Sequence, residues 1–294
     1  MALSPSKTKT SYHTRSISLP AQSHPLTLRV EEQIRRLRSS EAASISSSSS
    51  SILQNLSGLK DLYDCVDDLL RLPLTQQAIA HERSDKCVND VLEGSLRILE
   101  VCGTTRDLIS QIRECVLDLQ SSFRRNKREV SDVVNGYMIT RKKVNKVILK
   151  CLGDMKRNKN ISSGLKKDQD IVAIICILRE AEDITVSMFE SLLSLISRPT
   201  IQSKPRGWPL VSKLTGTRQA AHNREEAKFS EMEKVDTALS NFTAQKSHKG
   251  NEVQDAQKQL AALESSIQDL ESELDCFYRS SIKTRVSLLN ILSN

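Results

Sequence analysis

Little in this chain could build a β-sheet. Aromatic residues make up 3% of its 294 residues, with 9 glycines and 7 prolines. Strands draw on aromatic and β-branched residues, and hairpins on Gly and Pro turns. A core of Leu, Ile and Val suits helix packed on helix instead. Disulfide and zinc chemistry are missing as well. The seven cysteines are odd in number, contain no C-x-x-C, and show no Cys/His spacing that suits zinc. Free Cys on an apolar stripe behaves as a small hydrophobe, and its survival implies a reducing compartment. The N-x-S/T triplets at Asn55, Asn160 and Asn241 are then chance matches.

No stretch approaches the roughly 18 uncharged apolar residues that a membrane-spanning helix needs. Nor is there a Gly-rich phosphate loop, an H-E-x-x-H or a G-x-S-x-G. The five histidines fall at positions 13, 24, 81, 222 and 248 and join no recognisable motif. Asp64, Asp67 and Asp68 are neighbours, but on a helix they read as a solvated acidic face. We therefore expect no enzyme, no cofactor and no metal.

What is present is helical patterning. From Val253 to Phe277 the apolar residues Val253, Ala256, Leu260, Leu263, Ile267, Leu270, Leu274 and Phe277 recur at alternating steps of three and four. That is the seam of a heptad repeat, which must bury one narrow face against another helix. Ile282, Val286, Leu289 and Leu292 carry an apolar face further. Upstream, Leu59, Leu62, Val66, Leu69 and Leu70 form one amphipathic helix that Pro73 stops. A second has Leu92, Leu96 and Leu99 on one face; a third opens at Thr105 with Leu108, Ile112, Cys115, Leu119 and Phe123. Gly103 reads as the cap between these two, or else lies inside one long helix at a cost of about 1 kcal/mol. Val133, Tyr137, Thr140, Val144, Val147 and Cys151 form another stripe. Residues 171–196 are the most apolar helix and are expected at the centre of the bundle. A Pro- and Gly-containing crossover fills 198–217, and 219–245 reads as a polar, peripheral helix.

The fold class is thus all-α: an elongated antiparallel bundle over 51–294 with a coiled-coil-like C-terminal helix. Residues 1–50 are Ser-rich and basic and read as a disordered tail, with at most a short helix near Val30–Arg38. The first 30 residues hold no acid, which also fits a transit peptide. Within the tail, Arg15, Ser18 and Pro20 have the spacing read by phosphoserine-binding proteins of the 14-3-3 type, in which a phosphate on Ser18 would meet an Arg cluster.

Charge is segregated. Residues 124–167 carry 14 Lys or Arg against 3 Asp or Glu, while 252–275 carry 7 acids and one Lys. If the two blocks answer each other, Arg141, Lys143 and Lys150 pair with Glu264, Glu271 and Glu273 in an antiparallel seam. The exposed remainder, Arg124, Arg125, Lys127, Arg128, Lys142 and Lys146, is a candidate basic patch for an anionic membrane surface or a nucleic acid. Nucleic acid is the poorer fit, because only Phe123 offers a nearby aromatic for base stacking.

The chain resembles a plant family related to the BYPASS proteins of root and shoot development. The resemblance is carried by residues 11–20 with Ser23-His24-Pro25, by Leu59-Lys60-Asp61-Leu62-Tyr63, by Arg141-Lys142-Lys143-Val144, and by residues 284–292. It implies a plant developmental role without known enzyme activity, and supplies no site residues. The expected function is a helical-bundle adaptor or scaffold with a phospho-regulated tail. The alternative is a peripheral membrane or nucleic-acid binder using the 124–150 basic face. The cysteines place it in the cytoplasm; the basic run leaves the nucleus open, and the acid-free start the chloroplast.

Overall fold

The computed structural model describes residues 24–43, 49–81, 86–125, 130–158, 169–197, 231–244 and 250–293. Among them the regular structure is helical throughout. The helices are α1 (Pro25–Ala43), α2 (Ser49–Leu70), α3 (Pro73–His81), α4 (Lys86–Arg124), α5 (Val130–Asn158), α6 (Gln169–Ser197), α7 (Glu231–Ala244) and α8 (Gly250–Ser293). The tail motif Arg15, Ser18 and Pro20, the crossover 198–217, and Lys127 and Arg128 lie outside the described residues.

The expected heptad helix exists and continues as the 44-residue α8. Its seam is buried at Ala256, Leu260, Leu263, Ile267, Leu274 and Phe277. The partner differs from the expectation. α8 lies mainly against α4 and α2, then α7, and makes no substantial contact with α5. Arg106 reaches Asp275 at 2.6 Å, Arg113 reaches Glu271 at 3.3 Å, and the Gln120 side-chain amide donates to Glu264 at 2.7 Å. Ascending numbers on α4 meet descending numbers on α8, so the seam is antiparallel and internal, as expected. Arg141 does not join it, and Lys143 and Lys150 stay exposed. Arg106, Arg113 and Gln120 are seven apart on α4; Lys143, Lys150 and Arg157 repeat with the same period on α5 but are all exposed, off its buried face.

Arg141 is instead buried, 5% exposed. Its guanidinium donates to Asp236 of α7 (Nη2 at 3.0 Å, Nε at 3.3 Å) and to the carbonyl of Ile196 near the end of α6 (3.0 Å). The Tyr137 hydroxyl donates to the other Asp236 oxygen at 2.6 Å. The buried face of α5 is therefore Val130, Val134, Tyr137, Arg141, Val144 and Ile148. This rotates it from the apolar stripe and leaves Val147 exposed. A charge enters the core because a carboxylate from another helix meets it there. Helix α7 is accordingly no peripheral element: Val235, Asp236, Leu239 and Phe242 are buried.

Helix α1 also corrects the expected boundary at residue 51. Pro25 occupies the first helical position, and the Leu26 amide donates to His24 Nδ1 at 3.2 Å. Val30, Ile34 and Leu37 are buried against the bundle, so it begins at α1. Leu37 sits over Gly58, where a Cβ would come within 2.6 Å of its methyl. Helix α4 runs unbroken through Gly103. The Thr105 hydroxyl bonds back to Val101 O at 2.8 Å instead of capping a new helix. Its first half buries Val88, Val91, Gly94 and Ile98; Leu96 is exposed and Leu92 and Leu99 are half-buried. Helix α6 touches α1 to α5, which makes it the centre of that end of the bundle.

Five of the described aromatics sit at helix junctions. Tyr63 of α2, Phe277 of α8 and Phe189 of α6 form one cluster, with ring centroids 5.1 and 5.6 Å apart; Phe123 of α4 meets Phe242 of α7 at 5.2 Å. From Ser280 to Thr284 the buried face of α8 is polar, before Leu288 and Ile291 resume the apolar core. Ser280, Ser287 and Thr284 donate to Asp64, Asp67 and the Tyr63 carbonyl of α2. Asp67 is fully buried, 3.0 Å from both Lys283 Nζ and Arg71 Nε, and so is not on a solvated face. Ile282, Val286 and Leu289 consequently remain exposed.

Candidate functional site

Helices α4, α5 and α6 part to leave a cleft of about 590 Å³, within the roughly 300–1,000 Å³ of ligand sites. Ile98, Val101, Met155, Val186 and Phe189 form its apolar floor, and Phe189 backs it with the central aromatic cluster. Its polar wall holds Asp90, Glu93, Glu100, Asp154, Glu182 and Asp183 against Arg97, Lys150 and Arg179. Carboxylates outnumber cations two to one, in a chain whose net charge is +7. On α4 the charged residues Asp90, Glu93, Arg97 and Glu100 recur at steps of three, four and three, so they line one face.

Two ion pairs brace the walls. Arg97 donates to Glu182 at 2.7 Å, and Arg179 of α6 donates to Asp90 of α4 at 3.0 Å. Glu182 sits deeper than the others. Its carboxylate lies against the backbone of α4 at Gly94, where any Cβ would overlap it. Burial pushes the Glu182 carboxyl above its ordinary range; the Arg97 hydrogen bond and charge offset part of that, and Asp183 adds to it. Cys151 lines the α5 side. Burial, then the charge of Asp154, raises its thiol, so it stands as a small apolar wall and not as a thiolate. The arrangement can hold a cationic group at the rim while covering an apolar one at the floor.

This cleft is invisible to a reading of single stretches, since its parts come from three helices. The one signal available was the stepped charge on α4, hidden by the stronger apolar patterns beside it. Of the basic patch, Arg124 and Arg125 are exposed at the end of α4. Lys142 and Lys146 are exposed on α5, the nearer of them about 18 Å from that helix's start at 1.5 Å per residue. They do not form one continuous surface. Of the predicted pairing residues, Glu264 accepts from Gln120, Glu271 pairs with Arg113, and Lys150 lies at the mouth of the cleft. Among the described residues, no group of three or more His, Cys, Asp or Glu is placed to hold a metal, and no helix is long and apolar enough to cross a membrane.

No curated protein and no solved structure is similar enough to add to this picture. One family does match: its profile, described as Protein BPS1, covers residues 55–291. That span runs from the first turns of α2 nearly to the end of α8 and takes in every wall of the cleft. The chain therefore belongs to the Protein BPS1 family.

Proposed function

We propose that the chain is a non-enzymatic helical-bundle adaptor of plant development whose binding site is the cleft between α4, α5 and α6. The occupant is a basic, amphipathic segment of a partner protein. One observation carries this: a surplus of carboxylates stands over an apolar floor in an otherwise basic molecule. Acidic rims attract Lys and Arg and reject acidic competitors, while the floor supplies the burial that gives affinity. Helices pinned by cross-pairs keep the site open before the partner arrives, which lowers the entropy cost of binding. The motif Arg15, Ser18 and Pro20 adds a second contact to this reading, a phosphoserine reader of the 14-3-3 type that would regulate the adaptor without filling the cleft.

The test uses labelled amphipathic peptides of Lys and Leu or of Glu and Leu, followed by fluorescence anisotropy. The Lys peptide should bind and the Glu peptide should not. Glu93→Lys with Asp183→Lys, both at exposed positions, should weaken the Lys peptide about tenfold or more. Equal binding of the two peptides, or an unchanged affinity in the double variant, would refute the reading.

A further inference from the structure

The outer face of α5 combines two features that do not usually share a solvated surface. Ile139 and Leu149 are large aliphatic residues, 54% and 66% exposed. Lys142, Lys143 and Lys146 are exposed beside them. At 100° per residue these five fall within one arc centred near Ile139, opposite the buried row of Tyr137, Val144 and Ile148. From Ile139 to Lys150 the sequence contains no acid. Asp132, a turn and more nearer the helix start, is the closest acid on that arc within α5 before it.

We propose that this face docks on an anionic lipid surface. The apolar residues decide between the two polyanions that such lysines could meet. Aliphatic side chains gain nothing from phosphates, and a single-strand binder would carry aromatics for stacking. At a bilayer, Ile139 and Leu149 enter the acyl boundary, while the lysines lie their stems along it and keep their charges at the headgroups. Between Ile139 and Lys150 the basic residues on the arc are also all Lys, point charges suited to a diffuse negative surface; Arg157, further along the same arc, is paired with Asp154. The helix would lie along the surface without entering it further, because its opposite side is the core of the bundle. The proposal is independent of the cleft: none of these five residues lines it.

Co-sedimentation of the full chain with vesicles tests this, using phosphatidylcholine alone and phosphatidylcholine with phosphatidylserine, at low and at physiological salt. Binding should require phosphatidylserine and weaken with salt. Each Lys near such a surface contributes about fivefold in affinity, so Lys142→Gln, Lys143→Gln and Lys146→Gln together should cost roughly 100-fold. Ile139→Ser with Leu149→Ser leaves the charge unchanged and should still weaken vesicle binding by about tenfold or more. All five positions are exposed, and circular dichroism will confirm that the variants keep their helices. The proposal fails if both vesicle types bind equally, or if either variant binds like the wild type. It fails too if single-stranded RNA binds more tightly than the acidic vesicles and ignores the Ile139/Leu149 change.

Discussion

Replacing Arg141 with Met should destabilise the bundle by about 3–5 kcal/mol, the cost of removing one partner from a buried ion pair. Three consequences add up. Two charge-assisted contacts to Asp236 vanish, the Ile196 carbonyl near the end of α6 loses a donor, and a carboxylate 2% exposed loses the cation facing it. A chain of this size loses about 2–4 °C of Tm per kcal/mol, so thermal unfolding should fall by roughly 6–20 °C. Asp236→Asn should cost a similar amount. The double change Arg141→Met with Asp236→Leu should recover much of the loss, because the isolated pair gains little over apolar packing. The assay is a double-mutant cycle in urea followed by circular dichroism. We expect a coupling of roughly 2–3 kcal/mol between Arg141 and Asp236, and less than about 0.5 kcal/mol between Arg141 and Glu264 or Glu271. The reverse ranking would mean that α5, and not α4, faces the acidic side of α8, and the described packing would be wrong.

Three other outcomes follow from single side chains. Gly103→Ala meets open space within an unbroken helix and should stabilise by about 0.5–1 kcal/mol, whereas Gly58→Ala drives a methyl into Leu37 and should lose more than the helix gains, read as opposite Tm shifts. Folding makes the Glu182 carboxyl harder to ionise, chiefly through burial. Wild type should therefore lose stability relative to Glu182→Gln as pH rises from the ordinary value of 4.5 through the raised folded value. Affinity for a cationic peptide should increase over the same window. Burial first, with a smaller push from Asp275, takes the Cys102 thiol up to about 12; iodoacetamide at mildly alkaline pH should leave it unlabelled in the folded chain, as peptide mass spectrometry will show.

The heptad from Val253 to Phe277 was legible because steps of three and four leave a helix one way to hide its apolar residues. Direction was legible too, since the expected seam was antiparallel and internal, as the α4–α8 pairs are. The partner was not legible, because two helices offer the acidic row of α8 a matching set of donors. The 124–167 block is more basic than α4, and its Lys143, Lys150 and Arg157 repeat every seven just as Arg106, Arg113 and Gln120 do, so neither charge nor period alone selects α4. A stripe drawn by hydrophobicity could not include Arg141, because the residue that makes its burial tolerable arrives from α7, nearly a hundred positions away. The same holds for Asp67, which is neutralised by Lys283. Gly103 was open on sequence alone: its cost inside a helix is small enough for the buried neighbours Cys102 and Thr105 to override. The cleft required three helices to be placed before any of its walls had meaning.

The position of α8 in the chain has a consequence for biosynthesis. Its contacts with α2 join residues more than two hundred positions apart, such as Tyr63 with Thr284. Until residues 250–293 have left the ribosome, the sides of α2 and α4 that α8 covers have no lid, and Tyr63, which meets Phe277, and Cys102, which meets the Leu274 carbonyl, are open to any other sticky surface. Nascent chains of this protein should therefore depend on chaperone cover until synthesis is nearly complete. Stop codons ahead of α8 should yield aggregates or rapid degradation in place of a smaller working bundle.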